Sequence, residues 1–376
     1  MRALIAGAGI GGLATGIALR QAGLDVQVYE RSRELGEIGA GLMIWPNGTR
    51  SLQALGVEVE ALTVKRISFC NWRGRLLIEA PVDSISERYG SEVAFIHRAD
   101  LQAALSGALG RGSLRLNSDV IGFAEEPDRV QVKLRDGTVA AGDFLVGADG
   151  LRSVVRRQLL GDGDPTYLGS TIWRGIVASE GIALERGHGV DLVGRGSEFL
   201  AFSLANDRIY WACVTKETQG EKQGPGGNKQ DVLARFGGWV EPVPALIAAT
   251  PETAILRNDM YDRPPAQLWS RGRVTLVGDA AHPMTPNLGQ GACQALEDAV
   301  ALGESLRRAS ELTEAFELYE QRRLRRANLA VRMSRQSSRS VQIRNPLLCA
   351  LRDGFARLLP RAVLLRMLDA TLAARP

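Results

Sequence analysis

The sequence predicts an α/β fold of two domains, one built on a parallel sheet and one on a largely antiparallel sheet, with a helical C-terminus. Three observations predict it. Residues 2–29 read as strand, glycine-rich turn, helix and strand, the unit from which parallel sheets are made. Residues 165–215 lose helical periodicity and read as successive short strands. Residues 274–340 return to a buried strand followed by two long helical patterns. A chain of 376 residues has room for about two domains and a sizeable core.

The elements follow in order. Residues 2–6 are a short apolar run and so a buried strand. Residues 11–21 read as a helix ended near Gly23, and 25–29 as a second strand finishing at Glu30. Helical spacing recurs over 99–109, while 130–134 and 144–146 read as strands. The second domain is expected to hold strands at 170–178, 198–204 and 208–215. Residues 217–230, rich in Gly, Lys and Gln, read as an exposed loop, and 231–248 as a helix broken at Gly237 and Pro242. Residues 274–278 form a buried strand, and 288–308 and 311–340 long helices. The strand at 274 matches the first in type, so the chain is expected to leave the first domain and return to it. That division places 1–70, 96–164 and 266–340 in the first domain, 71–95 and 165–265 in the second, and 341–376 in basic amphipathic helices.

Composition removes several function classes. Hydrophobic residues are 45% and charged residues 23%, ordinary for a globular enzyme. Four scattered cysteines without a CxxC pair argue against a disulfide framework or zinc, and three histidines against a His-based site, so no metal is expected. Cysteine usage fits a reducing, cytoplasmic compartment. Arg2 followed by an apolar run has the outline of a signal peptide, but Gly7, Gly9, Gly11, Gly12 and Gly16 fall inside it and suit a phosphate-binding turn instead. From Arg322 onward there are thirteen Arg and two acids, so the net charge of +4 hides a basic tail on an otherwise acidic chain. With the excess confined there and no reading motif beside it, no nucleic-acid partner is expected.

Three glycine motifs carry the chemistry. Gly7-Ala8-Gly9-Ile10-Gly11-Gly12 fits GxGxxG after a strand and at the start of a helix. Gly7 permits the tight turn, Gly9 the approach of a pyrophosphate and Gly12 close helix packing. The helix N-terminus offers N–H groups and partial positive charge to phosphates. Glu30, about 20 residues on, suits ribose hydroxyls. Gly147-Ala148-Asp149-Gly150 follows a second strand and runs on to Arg156. Gly278-Asp279-Ala280-Ala281-His282 follows a third and runs into Pro286-Asn287-Leu288-Gly289-Gln290-Gly291-Ala292, where another helix opens. Asp279 is placed to accept from a sugar-like hydroxyl.

In this order and at this spacing the motifs resemble the class A FAD-dependent monooxygenases, the para-hydroxybenzoate and salicylate hydroxylase family, over residues 1 to about 330. Residues 254–262 and 286–298 look closest to the urate hydroxylase and zeaxanthin epoxidase branch. The resemblance implies a Rossmann-like FAD-binding domain. It adds Arg98 and Gln102 of His97-Arg98-Ala99-Asp100-Leu101-Gln102 to the FAD contacts, together with Arg31, Gly41, Asp149, Gly150, Gly278, Pro286 and Gly289. It implies Asp149 and Arg156 in transient binding of NAD(P)H, for which there is no second GxGxxG. Ala292 and Cys293 stand where many members carry Met-Asn, which puts a side-chain amide contact to the flavin in doubt. The implied reaction inserts one oxygen atom from O2 into an aromatic or heteroaromatic substrate through a C4a-hydroperoxyflavin. Epoxidation of an isoprenoid-like alkene, a flavin dehydrogenase or reductase without oxygen transfer, and a non-catalytic ligand-sequestering protein are the alternatives. A halogenase is disfavoured by the lack of a Trp-x-Trp-x-Ile-Pro segment.

No catalytic base stands out. Arg174 and Tyr210, on predicted strands of the second domain, and His282 are candidates, and ordinary packing explains each as well. The apolar strand of Phe199, Leu200, Phe202 and Leu204 hints at a mostly apolar substrate, or simply at core. In the tail, Leu347, Leu348, Leu351, Phe355, Leu358, Leu359, Val363, Leu364, Met367 and Leu368 recur near helical spacing, broken by Pro346 and Pro360. Two readings stand: an amphipathic cap docked on the first domain, or a peripheral contact with anionic membrane.

Overall fold

The computed structural model describes residues 1–36, 40–221 and 223–373. Its first sheet is parallel and five-stranded, in the order Val274–Leu276, Phe144–Gly147, Arg2–Ala6, Asp25–Tyr29, Leu114–Arg115. The strands expected at 2–6, 144–146 and 274 are therefore neighbours, with Ala3 beside Phe144 and Leu145 beside Val274. Three adjacent parallel strands release three glycine turns at the same edge, the usual place for a ligand in such sheets. Helices Ile10–Gln21 and Gly291–Arg308 pack against one another closely enough that a Cβ on Gly303 would lie 2.9 Å from that of Ala18.

The second sheet has seven strands in the order Leu256–Asp262, Thr166–Ala178, Arg208–Lys216, Ser197–Leu204, His188–Val193, Arg66–Asn71, Leu76–Glu79. Every pair is antiparallel except His188–Val193 with Arg66–Asn71. Arg66–Asn71 thus joins this sheet, although its residues fall in the segment 1–70 expected in the first domain. Residues 94–97, expected across the boundary, pair instead with Gly41–Ile44 in a separate three-stranded sheet. The helix expected over 231–248 is two helices, Gly227–Phe236 and Val243–Ala249, divided where Gly237 and Pro242 stand.

Because side chains alternate along a strand, the large sheet has two apolar faces. Trp173, Phe199, Trp211 and Cys213 pack on Val232, Phe236, Leu246 and Ile247 of the two short helices. Phe202, Leu204, Tyr210 and Ala212 point the other way and merge with the core of the first domain.

All four cysteines are free. Among the described residues no cluster of His, Cys, Asp and Glu could hold a metal ion, and no helix is long and apolar enough to cross a membrane. The tail forms helices Pro346–Leu358 and Arg361–Leu372, opened at Pro346 and just after Pro360.

Candidate active site

The glycine turns meet. Gly7 has φ +96°, which favours glycine, and a Cβ there would lie 2.5 Å from the Ala148 carbonyl oxygen of the second motif. A Cβ on Gly12 would overlap the Gly7 carbonyl oxygen and lie 3.2 Å from Ala148 Cβ. A Cβ on Gly11 would lie 3.8 Å from Gly278 Cα of the third motif. Gly9 and Gly291 are different: a Cβ on either meets nothing within 4 Å. They open the two long helices Ile10–Gln21 and Gly291–Arg308, neither of which has a side-chain cap or an acid in its first turn. An uncapped helix start offers free N–H groups and partial positive charge to an anion.

The surrounding groups suit a dinucleotide. Glu30 accepts from Ala8 N at 2.7 Å and Ser32 N at 2.9 Å, which fixes its carboxylate at the first turn and leaves lone pairs for hydroxyl donors. Gln102 donates Nε2 to the Ala8 carbonyl at 2.9 Å, and its Oε1 is buried without a partner, an acceptor awaiting a donor. Asp279 and Pro286 are exposed on the third turn, and Arg31 is exposed beyond Glu30. Gly150 and Gly289 take positive φ. Ala292 is half-buried beside Gly291. Arg98 and Gly41 lie nearer the second sheet: Arg98 bears electrostatically on the Tyr210 phenol, and a Cβ on Gly41 would lie 2.6 Å from the Tyr210 ring. The residues present therefore fit FAD.

Asp149 and Arg156 make most of their contacts within the protein. Asp149 accepts from Ser153 Oγ at 2.5 Å and Val154 N at 2.7 Å, filling the start of its own helix Val154–Leu160. Burial pushes its carboxyl above the ordinary value, against those hydrogen bonds. Arg156 is buried and donates to Asp162 at 2.6 Å and to the carbonyls of Ala280 at 3.0 Å and Ala281 at 2.8 Å. It ties the second motif to the third, and nothing arriving from solvent reaches its guanidinium.

His282 is likewise no substrate group. It is fully buried, and its Nε2 donates to Asp298 Oδ2 at 2.5 Å. Gly278 N donates to the same oxygen at 2.9 Å, and Arg323 Nε to Asp298 Oδ1 at 2.8 Å. Burial opposes ionisation of Asp298, but His282 and Arg323 outweigh it and hold the carboxyl below its ordinary value. Arg323 continues to Glu297 and to Gln294, whose Nε2 reaches Gln290 Oε1 at 2.9 Å; Asn47 Nδ2 meets that same oxygen at 3.0 Å. This network pins the third turn and the start of its helix. Cys293 is buried too, its sulfur accepting from Trp45 N at 3.4 Å, with burial pushing the thiol up to about 12. That side chain packs toward Trp45 and Gly48.

Arg174 and Tyr210 share the sheet face that looks toward the first domain. Arg174 pairs across strands with Ala212, two residues from Tyr210. Its Nη2 donates to Asn258 Oδ1 at 3.2 Å, while its Nε is buried without a partner. Burial pushes the Tyr210 phenol up to about 12, so it stays protonated. The sequence reading missed a third feature of this face. Asp191 and Glu198, on neighbouring strands, are hydrogen-bonded to one another, and Asn287 of the third motif donates to Glu198 at 2.9 Å. Burial pushes Asp191 up to about 7 and, with the Asp191 charge, Glu198 well above its ordinary value. Both carboxyls are thus held above the ordinary carboxylate range. An acid amid an apolar alternating strand was the only local sign of Glu198; its partner lies on another strand.

A model of the FAD binding domain family matches residues 1–334. The chain is 40% identical over 361 residues to the aurachin C monooxygenase/isomerase of Stigmatella aurantiaca, covering 95% of this chain and 94% of that protein. It is 36% identical over 334 residues to the chloroplastic zeaxanthin epoxidase of Solanum lycopersicum, covering 84% of this chain and 49% of that longer protein. Klebsiella pneumoniae HpxO complexed with FAD and uric acid superposes with a TM-score of 0.94 at 30% identity, covering 100% of this chain and 97% of that one.

Proposed function

The chain belongs to the FAD binding domain family and is a class A FAD-dependent monooxygenase, and from that premise we propose that it spends NAD(P)H and O2 to insert one oxygen atom into a mostly apolar aromatic or heteroaromatic substrate. The second oxygen atom leaves as water. FAD, when bound, would supply the redox chemistry, as acceptor of hydride and site of O2 activation.

What this chain's residues contribute can be stated separately. With FAD bound, the uncapped starts at Gly9 and Gly291 would hold its negative charge. Glu30, Arg98, Gln102 and Asp279 hold the remaining polar edges. The face bearing Leu200, Phe202, Tyr210 and Ala212 excludes water and takes the apolar body of the substrate. Arg174, with its unpartnered Nε, and the protonated Tyr210 orient a substrate oxygen. The single observation that carries the reading is the open space in front of Gly9 and Gly291 beside two uncapped helix starts.

Epoxidation of an isoprenoid-like alkene is the second reading, favoured by the likeness to zeaxanthin epoxidase. One experiment separates them. Aurachin C, uric acid and zeaxanthin are offered with NADH or NADPH under ¹⁸O2, and consumption and label are followed. One labelled oxygen in a hydroxylated ring supports the first reading, and label in an epoxide the second. Substrate-independent NAD(P)H oxidation with no label in any product would refute both.

A further inference from the structure

Helix Pro346–Leu358 is mounted with its apolar stripe facing out. A helix docked on a globular domain turns that stripe inward. Here Leu347, Leu351, Phe355 and Leu358, spaced by four, four and three residues along one side, are 74%, 68%, 71% and 82% exposed. The inward side carries Cys349, whose thiol donates to the Ile343 carbonyl at 3.2 Å, and Arg352, which donates to Gly194 O at 3.2 Å and Asp353 at 2.8 Å. The reading of this segment as a cap with its leucines docked on the first domain is thereby corrected for this helix. Val363 and Met367 of the next helix extend the exposed apolar surface.

The segment also carries exposed positive charge. Arg344, Arg357, Arg361 and Arg366 are exposed along it. The acids of these two helices are both engaged: Asp353 by Arg352, and Asp369 by Arg88 at 2.6 Å and by Tyr89. An exposed apolar stripe of this size marks an interaction surface. Rimmed by arginines, it matches the interfacial helices that lie in a bilayer surface with their apolar side among the acyl chains and their basic side on lipid phosphates. A second copy of the chain fits less well, since a two-fold contact would bring two arginine-bearing patches together.

We infer that helices Pro346–Leu358 and Arg361–Leu372 form a peripheral docking surface for anionic membrane. The inference does not depend on the reaction proposed above.

The test is co-sedimentation of the full-length, FAD-loaded protein with vesicles of phosphatidylcholine alone or mixed with phosphatidylglycerol. The expected result is pelleting with the anionic vesicles that weakens as salt is raised. Leu351→Glu/Phe355→Glu should abolish it. Arg357→Glu/Arg366→Glu should weaken it about tenfold or more and flatten the salt dependence. All four positions are at the surface, and unchanged bound FAD and thermal midpoint would confirm that the variants are folded. Failure of the wild-type chain to pellet with anionic vesicles overturns the inference, as does equal pelleting by Leu351→Glu/Phe355→Glu. Light scattering that shows a dimer dissociated by that pair, without vesicle binding, assigns the face to a second copy and also overturns it.

Discussion

Replacing Gly9 by Ala should separate cofactor binding from folding. Gly9 has φ −69° and ψ −178°, which alanine adopts freely, and its added methyl meets no protein atom within 4 Å. The substitution removes conformational freedom from the unfolded chain and should raise apo-protein stability by about 0.4–1 kcal/mol. The same methyl projects into the space proposed for the pyrophosphate. Displacing one charge-assisted hydrogen bond costs about 1.5–3 kcal/mol, so FAD affinity should fall about 10–150-fold. Gly12→Ala is the control: its methyl overlaps the Gly7 carbonyl and crowds Ala148, so stability and FAD binding should fall together. Urea denaturation of the apo-protein gives the first quantity and quenching of FAD fluorescence the second. A Gly9→Ala protein that binds FAD like the wild type would show that the open space does not face the cofactor, and the assignment of the first motif would fail.

Arg323→Met should destabilise the chain by about 3–5 kcal/mol, because it strands the buried carboxylate of Asp298; thermal melts check it. The depressed Asp298 carboxyl adds stability that is present above its unfolded value of 3.8 and lost as pH falls through the lower folded value. Acid-induced loss of stability should accordingly be shallower in Asp298→Asn than in the wild type. The Asp191–Glu198 pair has the opposite sign. Its raised carboxyls favour folding at low pH, and that contribution fades as pH rises through about 7 for Asp191. Glu198→Gln should therefore gain stability relative to wild type with rising pH, by at most about 1.4 kcal/mol per unit, and a difference that is flat with pH would refute the raised carboxyl. Arg174→Met, which loses the unpartnered Nε, should leave the melting temperature unchanged. It should lower kcat/KM for a turned-over substrate about 10–150-fold, measured as coupled NAD(P)H oxidation.

Local chemistry made the cofactor turns readable. GxGxxG, its strand and its helix lie within one short stretch, and the positive φ of Gly7 and the contact of Gly12 with the Gly7 carbonyl are local, although Ala148 crowds both from afar. Element boundaries agreed best where the pattern was local, as at Arg2–Ala6, Asp25–Tyr29 and Val130–Leu134. The second sheet was read only in part. His188–Val193 and Arg66–Asn71 are short and mixed in character; each has a local antiparallel partner, but the pairing that joins them spans more than a hundred residues.

The sequence by itself determined that three glycine turns follow three strands, that the second domain is sheet-rich, and that the tail is basic and amphipathic. These follow from φ, periodicity and charge, which belong to single residues and their near neighbours. Tertiary structure alone decided which partners those residues meet. It set Ala3 beside Phe144 and Leu145 beside Val274, turned Asp149 and Arg156 inward, buried His282 against Asp298, brought Asp191 to Glu198, and faced Leu351 and Phe355 outward. Which side of an amphipathic segment faces solvent depends on what the rest of the chain presents to it, and that is a property of long-range contact and not of spacing.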